Sequence, residues 1–463
     1  MNFEELRQKY HTFRYGSYGW KIAGENMEIS FDFCIEPDIY FKPEIIIKNI
    51  NKEKISSLNR DVIDNLVFHL GMVEILSYWK STCSQKILIE CANLTKEQTN
   101  WFSNLLINGM GQYFYENKID WREKDFVEII SAKNKKAFAI SSEKISKRIL
   151  VAIGGGKDSA VSLEILKNSG MEIGTLCLNV KKPSLEIIKI SETENSFFTE
   201  RKIDVKLLEL NRQGFLNGHT PFSAYLAFLS VLIGYIFDYK YLAFSNEGSS
   251  NVGNVEYLGK MINHQYSKTF DFEKKFRSYC KKYILKNAEY LSFLRPLYEI
   301  QIAKIFSKYP KYFNVFLSCN EAYRTNSGQN EYSGKWCGKC SKCLFAFIVL
   351  YPFIERKNII KIFSQNLFKK NSLIPVLEEL SGQKRFKPFE CVGTKEEVLV
   401  ALYLSLEKEK SSQKIPALLD YFRKNVLTRE RGIKRKSKTI FKAWDKNNFL
   451  GKNFKKILKN EIR

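Results

Sequence analysis

Two short stretches of the chain carry side chains whose types and spacing could do chemistry. The first is Gly154-Gly155-Gly156-Lys157-Asp158-Ser159, which follows the apolar run Ile149-Leu150-Val151-Ala152-Ile153 and opens a predicted helix over 159–167. Glycines let a backbone turn through positive φ and approach phosphate oxygens closely. The free N–H groups and dipole of a helix start attract anions. Ser159 adds a hydroxyl donor, and Asp158 adds a carboxylate able to hold magnesium against a leaving pyrophosphate. The spacing fits neither a Walker loop nor a dinucleotide fingerprint. A plain strand-to-helix turn would leave three glycines followed by Lys-Asp-Ser without a reason. The second stretch is Trp336-Cys337-Gly338-Lys339-Cys340-Ser341-Lys342-Cys343, three thiols at intervals of three, with Cys319 upstream. Four thiolates suit tetrahedral zinc. Cys337, Cys340 and Cys343 read as ligands of a structural zinc; Cys319 reads either as the fourth ligand or as a free thiol near a substrate. The other six cysteines, at 34, 83, 91, 177, 280 and 391, are scattered.

A third, polar region reads Ser245-Asn246-Glu247-Gly248-Ser249-Ser250-Asn251, followed by Asn263-His264-Gln265-Tyr266-Ser267-Lys268. Such density of polar groups fits poorly in a core. Glu247 could bind magnesium or act as a base, His264 could move a proton, and Lys268 could pair with a phosphate or carboxylate. The bland alternative is a solvated loop with a capped helix. His219 reads equally as a ligand contact or a helix-start residue, and His69, among apolar neighbours on a helix, reads as structural.

The elements that must position these groups follow from periodicity. Strands are expected at 28–33, 44–47, 148–153, 173–179, 204–210, 241–245 and 314–318. Helices are expected at 61–80, 222–237, 272–284 and 299–306, and Thr95 to Gln98 forms a capping box for another. Strand–helix alternation over 147–360 implies a parallel sheet covered on both faces, with ligands beyond the carboxyl ends of its strands. The expected organisation is an α+β amino-terminal domain over 1–145, an α/β catalytic domain over 146–365 with the cysteine cluster, and a helical, basic region over 366–463.

Composition narrows the classes. With 463 residues, 44% hydrophobic and 27% charged, the chain can bury several cores and is not a disordered protein. Residues 1–14 have no apolar signal core, and the longest apolar run, 224–237, is too short for a bilayer, so a soluble cytoplasmic protein is expected. In that setting, clustered cysteines point to a metal and not to disulfides. The net charge is +24, but residues 423–463 hold fifteen Lys or Arg against three Asp or Glu, half of it. A basic surface suits nucleotides, sugar pyrophosphates or nucleic acid. No RNA-binding motif with interleaved aromatics accompanies it, so nucleic acid is not the expected partner.

The glycine loop resembles the Ser-Gly-Gly-x-Asp-Ser loop of the N-type ATP pyrophosphatase (PP-loop) superfamily, with Gly154 where serine is usual. Arg295-Pro296-Leu297 resembles a later segment of that domain. The resemblance implies cleavage of ATP between its α- and β-phosphates, with Gly154 to Ser159, Asn246 and Lys268 at the nucleotide and Asp158 on magnesium. A narrower likeness covers roughly residues 60–395. The segments 69–74, 77–80, 154–159, 245–247, 263–268, 318–320, 336–343 and 387–393 resemble the UDP-N-acetylmuramoyl-L-alanyl-L-glutamate epimerases of peptidoglycan biosynthesis. That family implies ATP-dependent inversion of a terminal L-glutamate through an acyl-adenylate, releasing AMP and pyrophosphate. It also implies a UDP-sugar dipeptide as substrate. Asp158, Glu247, His264 and Cys319 are then the candidate catalytic residues. A nucleobase-adenylating enzyme, modifying tRNA or forming a deazaguanine nitrile, is the alternative within the superfamily.

Overall fold

The computed structural model describes residues 2–135, 137–323, 334–384, 387–410 and 413–462. Its strands are β1 (Thr12–Ala23), β2 (Asn26–Ile35), β3 (Ile39–Phe41), β4 (Glu44–Ile47), β5 (Lys86–Ile89), β6 (Glu128–Ser131), β7 (Ile149–Ala152), β8 (Ile173–Leu178), β9 (Asn195–Lys202), β10 (Tyr241–Phe244), β11 (Val255–Tyr257), β12 (Lys260–Ile262) and β13 (Glu289–Ser292). Eleven of them form one mostly parallel sheet in the order β13-β10-β7-β8-β9-β4-β2-β1-β5-β6, with β3 paired to β2. The five strands from β13 to β9 run parallel to their neighbours, so their carboxyl ends share one edge. The sheet then continues through an antiparallel pairing of β9 with β4 into the amino-terminal strands. β11 and β12 make a separate hairpin.

Alternation along the central strands explains why both faces are covered. On β7, Ile149 and Val151 face one hydrophobic core and Leu150 faces the other. The apolar helix Phe222–Phe237 lies in the first core beside the helix Arg60–Trp79. The second core is filled largely by carboxy-terminal helices, among them Ser341–Leu350 and Lys395–Lys408. No helix among the described residues is long and apolar enough to cross a membrane.

The segment 69–80 is built into this architecture. His69 is fully buried, with Nδ1 at 2.9 Å from the Asn65 carbonyl and Nε2 at 2.9 Å from the Tyr279 hydroxyl. Glu74 accepts a bidentate pair from Arg201 of β9 at 2.6–3.0 Å. A Cβ on Gly71 would lie 2.1 Å from the Tyr15 hydroxyl, so only glycine allows the helix this close to β1.

Two expected strands are not formed. Residues 204–210 fall in the helix Val205–Arg212, whose cap is the Asp204 side chain accepting from the Lys206 N–H. The strand lies just before it as β9, where Asn195–Lys202 mixes polar residues with Phe197 and Phe198 and so hides the apolar pattern. Residues 314–318 form no strand among the described residues; the Leu317 N–H donates to the Gly155 carbonyl. The basic carboxy-terminal stretch is folded: the helix Lys452–Ile462 buries Phe454 and Leu458 in the second core.

Candidate functional site

The glycine loop leaves the carboxyl end of β7 and turns at Gly155, whose φ is +87°. Gly156 caps the helix Lys157–Lys167 with no side-chain hydrogen bond, so the first-turn N–H groups remain available to a ligand. A Cβ at Gly154 would meet nothing within 4 Å, and one at Gly156 only Ser318 Cβ at 3.6 Å. The loop backbone is therefore approachable, as phosphate binding requires. The Ser159 hydroxyl donates to the Gly156 carbonyl at 2.9 Å.

Charged groups converge beside this loop. The buried Lys157 ammonium pairs with both Asp158 and Glu299. Burial alone would lower its pKa, but the two carboxylates outweigh it and hold it above the usual lysine range. Burial and then the neighbouring Asp158 push Glu299 up to about 7. Glu247, at the end of β10, is also raised, by burial foremost, with Asp158 adding and Lys268 opposing.

Arg295 fixes the loops that carry Glu247 and Lys268. Its fully buried guanidinium donates to the Glu247 carbonyl at 2.8 Å, the Ser250 hydroxyl at 2.8 Å, the Ser292 hydroxyl at 3.2 Å and the Lys268 carbonyl. It also pairs with Glu273 at 3.5 Å, while the Ser292 N–H donates to that carboxylate at 2.9 Å. Asn246 turns inward, donating to the Ser292 hydroxyl at 3.0 Å and the Tyr290 hydroxyl at 3.2 Å, and so anchors the start of the loop.

His264 sits opposite. Its backbone N–H and its Nδ1 both reach Asn254 Oδ1, at 3.1 and 3.0 Å, and the Asn254 amide donates to the Pro388 carbonyl at 2.7 Å. An oxygen that only accepts places the ring proton on Nδ1 and leaves Nε2 as a base. Burial, then the Lys268 charge, lowers this histidine to about 3. His219 stacks edge-on against it with ring centres 5.9 Å apart.

The four cysteines come together as a second centre. The sulfurs of Cys319, Cys337, Cys340 and Cys343 all lie within 4.8 Å of one another, with Cys337 and Cys343 3.6 Å apart. Tetrahedral zinc with bonds of about 2.3 Å needs sulfurs about 3.8 Å apart, so the donor set fits. Gly338 supplies the turn between Cys337 and Cys340 with φ +65°. The Cys343 N–H donates to Cys340 Sγ at 3.4 Å as the helix Ser341–Leu350 begins. Among the described residues this is the one group of three or more such side chains close enough to share an ion. Asp158, Glu247 and Glu299 form no such preassembled cage.

The structure thus places Gly154 to Ser159, Glu247, Lys268 and His264 around one edge of the sheet, and places Cys319 with the thiol cluster. It also brings in groups that the sequence alone does not single out. Glu299 opens the helix after Arg295-Pro296-Leu297, and an acid at that first turn was the available signal. Cys391 counts as scattered in the sequence, yet its Sγ accepts from Lys268 Nζ at 3.3 Å and lies 4.0 Å from His264 Nε2. Lys342, between two cluster cysteines, donates to the Cys391 carbonyl. No spacing announces these contacts.

Comparison with known sequences adds a family. Residues 4–293 match the family described as the MurL N-terminal domain, and residues 315–436 the one described as the MurL C-terminal domain. A Micromonospora protein named UDP-N-acetyl-alpha-D-muramoyl-L-alanyl-L-glutamate epimerase is 30% identical over 423 residues, 90% of this chain and 92% of its own length. Proteins of the same name from Salinispora tropica and Xanthomonas oryzae pv. oryzae are 29% identical over 421 residues and 30% over 352. These cover 90% and 74% of this chain, and 90% and 75% of the respective relatives.

Proposed function

The chain belongs to the MurL family, and from that premise we propose that it is an ATP-dependent epimerase. It converts the terminal L-glutamate of UDP-N-acetylmuramoyl-L-alanyl-L-glutamate to D-glutamate in peptidoglycan synthesis. It acts in the cytoplasm, where ATP and nucleotide-sugar precursors are found, on a PP-loop-type nucleotide site. The carrying observation is the approachable glycine loop at the carboxyl end of β7 facing Lys157, Asp158, Glu247, Lys268 and Glu299. On this reading residues 1–145, 146–365, which hold the glycine loop, and 366–463 are parts of one enzyme.

The chemistry explains why ATP is needed. The α-carbon of a free carboxylate is a very weak acid, because removing its proton adds charge to a group already negative. Transfer of AMP to the carboxylate masks that charge and makes the α-proton accessible to an ordinary side-chain base. Gly154 to Ser159 bind the phosphates through backbone N–H groups, and Lys268 meets the anionic portion nearest the loop that starts at Asn246. Asp158 and Glu247 would hold magnesium together with phosphate oxygens, the usual arrangement for an ion that keeps few protein ligands. That ion would offset the charge of departing pyrophosphate. After inversion, water cleaves the mixed anhydride to release AMP. Zinc on the four cysteines would serve the structure, since the helix that begins there presents Lys342 to the Cys391 carbonyl.

Asp158→Ala should abolish substrate-dependent pyrophosphate release while leaving the melting profile folded and cooperative. Retained release in that variant would refute the magnesium assignment. AMP formation with a nucleobase substrate, and none with the UDP-sugar dipeptide, would favour the nucleobase-adenylating alternative.

A further inference from the structure

One thiol stands apart from the zinc cluster and faces the charged groups of the sheet edge. Cys391 is half-buried, on the turn Cys391 to Gly393 that leads into the helix Lys395–Lys408. Its sulfur accepts from Lys268 Nζ at 3.3 Å, and the same ammonium interacts with Glu247 and Asp158. His264 Nε2, the unprotonated nitrogen, is 4.0 Å from the sulfur. Burial would raise the thiol, but Lys268 and Lys342 outweigh it and draw it below the ordinary range. Lys387 Nζ is buried with no hydrogen-bond partner among the described residues, and it interacts with Cys391 and Glu247. A cleft of about 200 Å³, lined in part by Asn254, Lys387, Val392 and Gly393, opens on the sequence neighbours of the cysteine.

These groups have the makings of a proton-transfer site. A thiolate is a base with little demand for solvation, and an unpartnered ammonium can meet an oxygen that gains negative charge. We propose that Cys391 carries the α-proton on one face of the glutamyl carbon, with Lys268 holding the thiolate. The proposal rests on the epimerase reading above. In the forward step the Cα–H bond breaks and an S–H bond forms. The electron pair moves into the adjacent acyl-adenylate carbonyl as an enolate, whose oxygen Lys387 meets. A proton from a second group on the opposite face then forms the new Cα–H bond with that pair. The Cys391 proton passes to water, which restores the thiolate, and the second group takes its proton back from water.

The test runs the full-length enzyme in D2O with ATP, magnesium and the UDP-sugar dipeptide. It compares deuterium at the glutamyl α-carbon with AMP released. In Cys391→Ser the ratio of α-exchange to AMP should fall by about 10²–10⁴-fold, the usual worth of a positioned acid–base group. A ratio equal to wild type would overturn the proposal, as would an AMP loss as deep as the exchange loss, which marks a merely structural role. If the serine variant does not fold, wild-type enzyme alkylated at Cys391, confirmed by peptide mass spectrometry, gives the same ratio under the same criteria. A substrate-derived mass adduct on Cys391 would overturn proton carriage in favour of a thioester. Wild-type enzyme that makes neither AMP nor D-glutamate would instead remove the epimerase reading, and the proposal with it.

Discussion

Arg295→Met is the change that most severely tests how the site is held. The side chain is fully buried, and methionine keeps its aliphatic part in place while removing the guanidinium head. What disappears is a cation that serves the carbonyls of Glu247 and Lys268 and the hydroxyls of Ser250 and Ser292, and that faces Glu273 at 3.5 Å. Removing one partner of a buried ion pair strands the other charge, at a cost of about 3–5 kcal/mol. At about 2–4 °C per kcal/mol for a unit of 150–250 residues, the melting temperature should fall by on the order of 10 °C. Both loops that carry Glu247 and Lys268 lose their common anchor. Activity at a temperature where the variant is still folded should therefore drop by about 10²-fold, the effect of roughly 1 Å of misplacement. Glu273→Gln supplies the control, since it removes the stranded charge. The double variant should be more stable than the two single losses added together, by about 0.5–3 kcal/mol. Denaturant melts of the four proteins measure this. An unchanged melt for Arg295→Met, or strict additivity in the double variant, would refute the clamp.

Other outcomes follow from the same geometry. Gly71→Ala should cost about 1–3 kcal/mol, because its Cβ would sit 2.1 Å from the Tyr15 hydroxyl; denaturant melts measure the loss, and the KM for ATP should stay at the wild-type value. Purified protein should contain one zinc per chain by elemental analysis, and Cys337→Ser should lower both that ratio and the melting temperature. Burial lowers His69 to about 4 in the folded chain. A histidine depressed in this way contributes stability above its unfolded pKa of about 6.5, and that stability is lost as pH falls towards 4. Stability should fall by up to about 1.4 kcal/mol per pH unit from this group alone, and His69→Gln should flatten the slope between pH 6.5 and 4. Parallel slopes in the two proteins would contradict this.

Much of this site was legible because local chemistry announced it. The glycine loop needs an apolar strand before it and a helix after it, and both are short-range patterns. Three cysteines at intervals of three likewise describe one turn. The polar run from Ser245 stood out because such residues after an apolar strand have no place in a core. What remained hidden depends on long-range closure. Cys391 lies 123 residues from Lys268 in sequence, and only the packing of the carboxy-terminal helices brings the two together. Arg295 looked like part of a Pro-Leu segment, yet its partners belong to three other segments. The misplaced strand at 204–210 shows the opposite case: Asp204 is a helix cap, and the apolar pattern after it fits a helical face packed on one side. The sheet itself continues from β9 into β4, a pairing that periodicity within either half cannot reveal.

The central claim is tested most directly by incubating the protein with ATP, magnesium and UDP-N-acetylmuramoyl-L-alanyl-L-glutamate, then analysing the nucleotides and the chirality of the glutamate together. The account predicts AMP and D-glutamate, both dependent on the dipeptide substrate. AMP with glutamate still entirely L, or no substrate-dependent AMP at all, would contradict it.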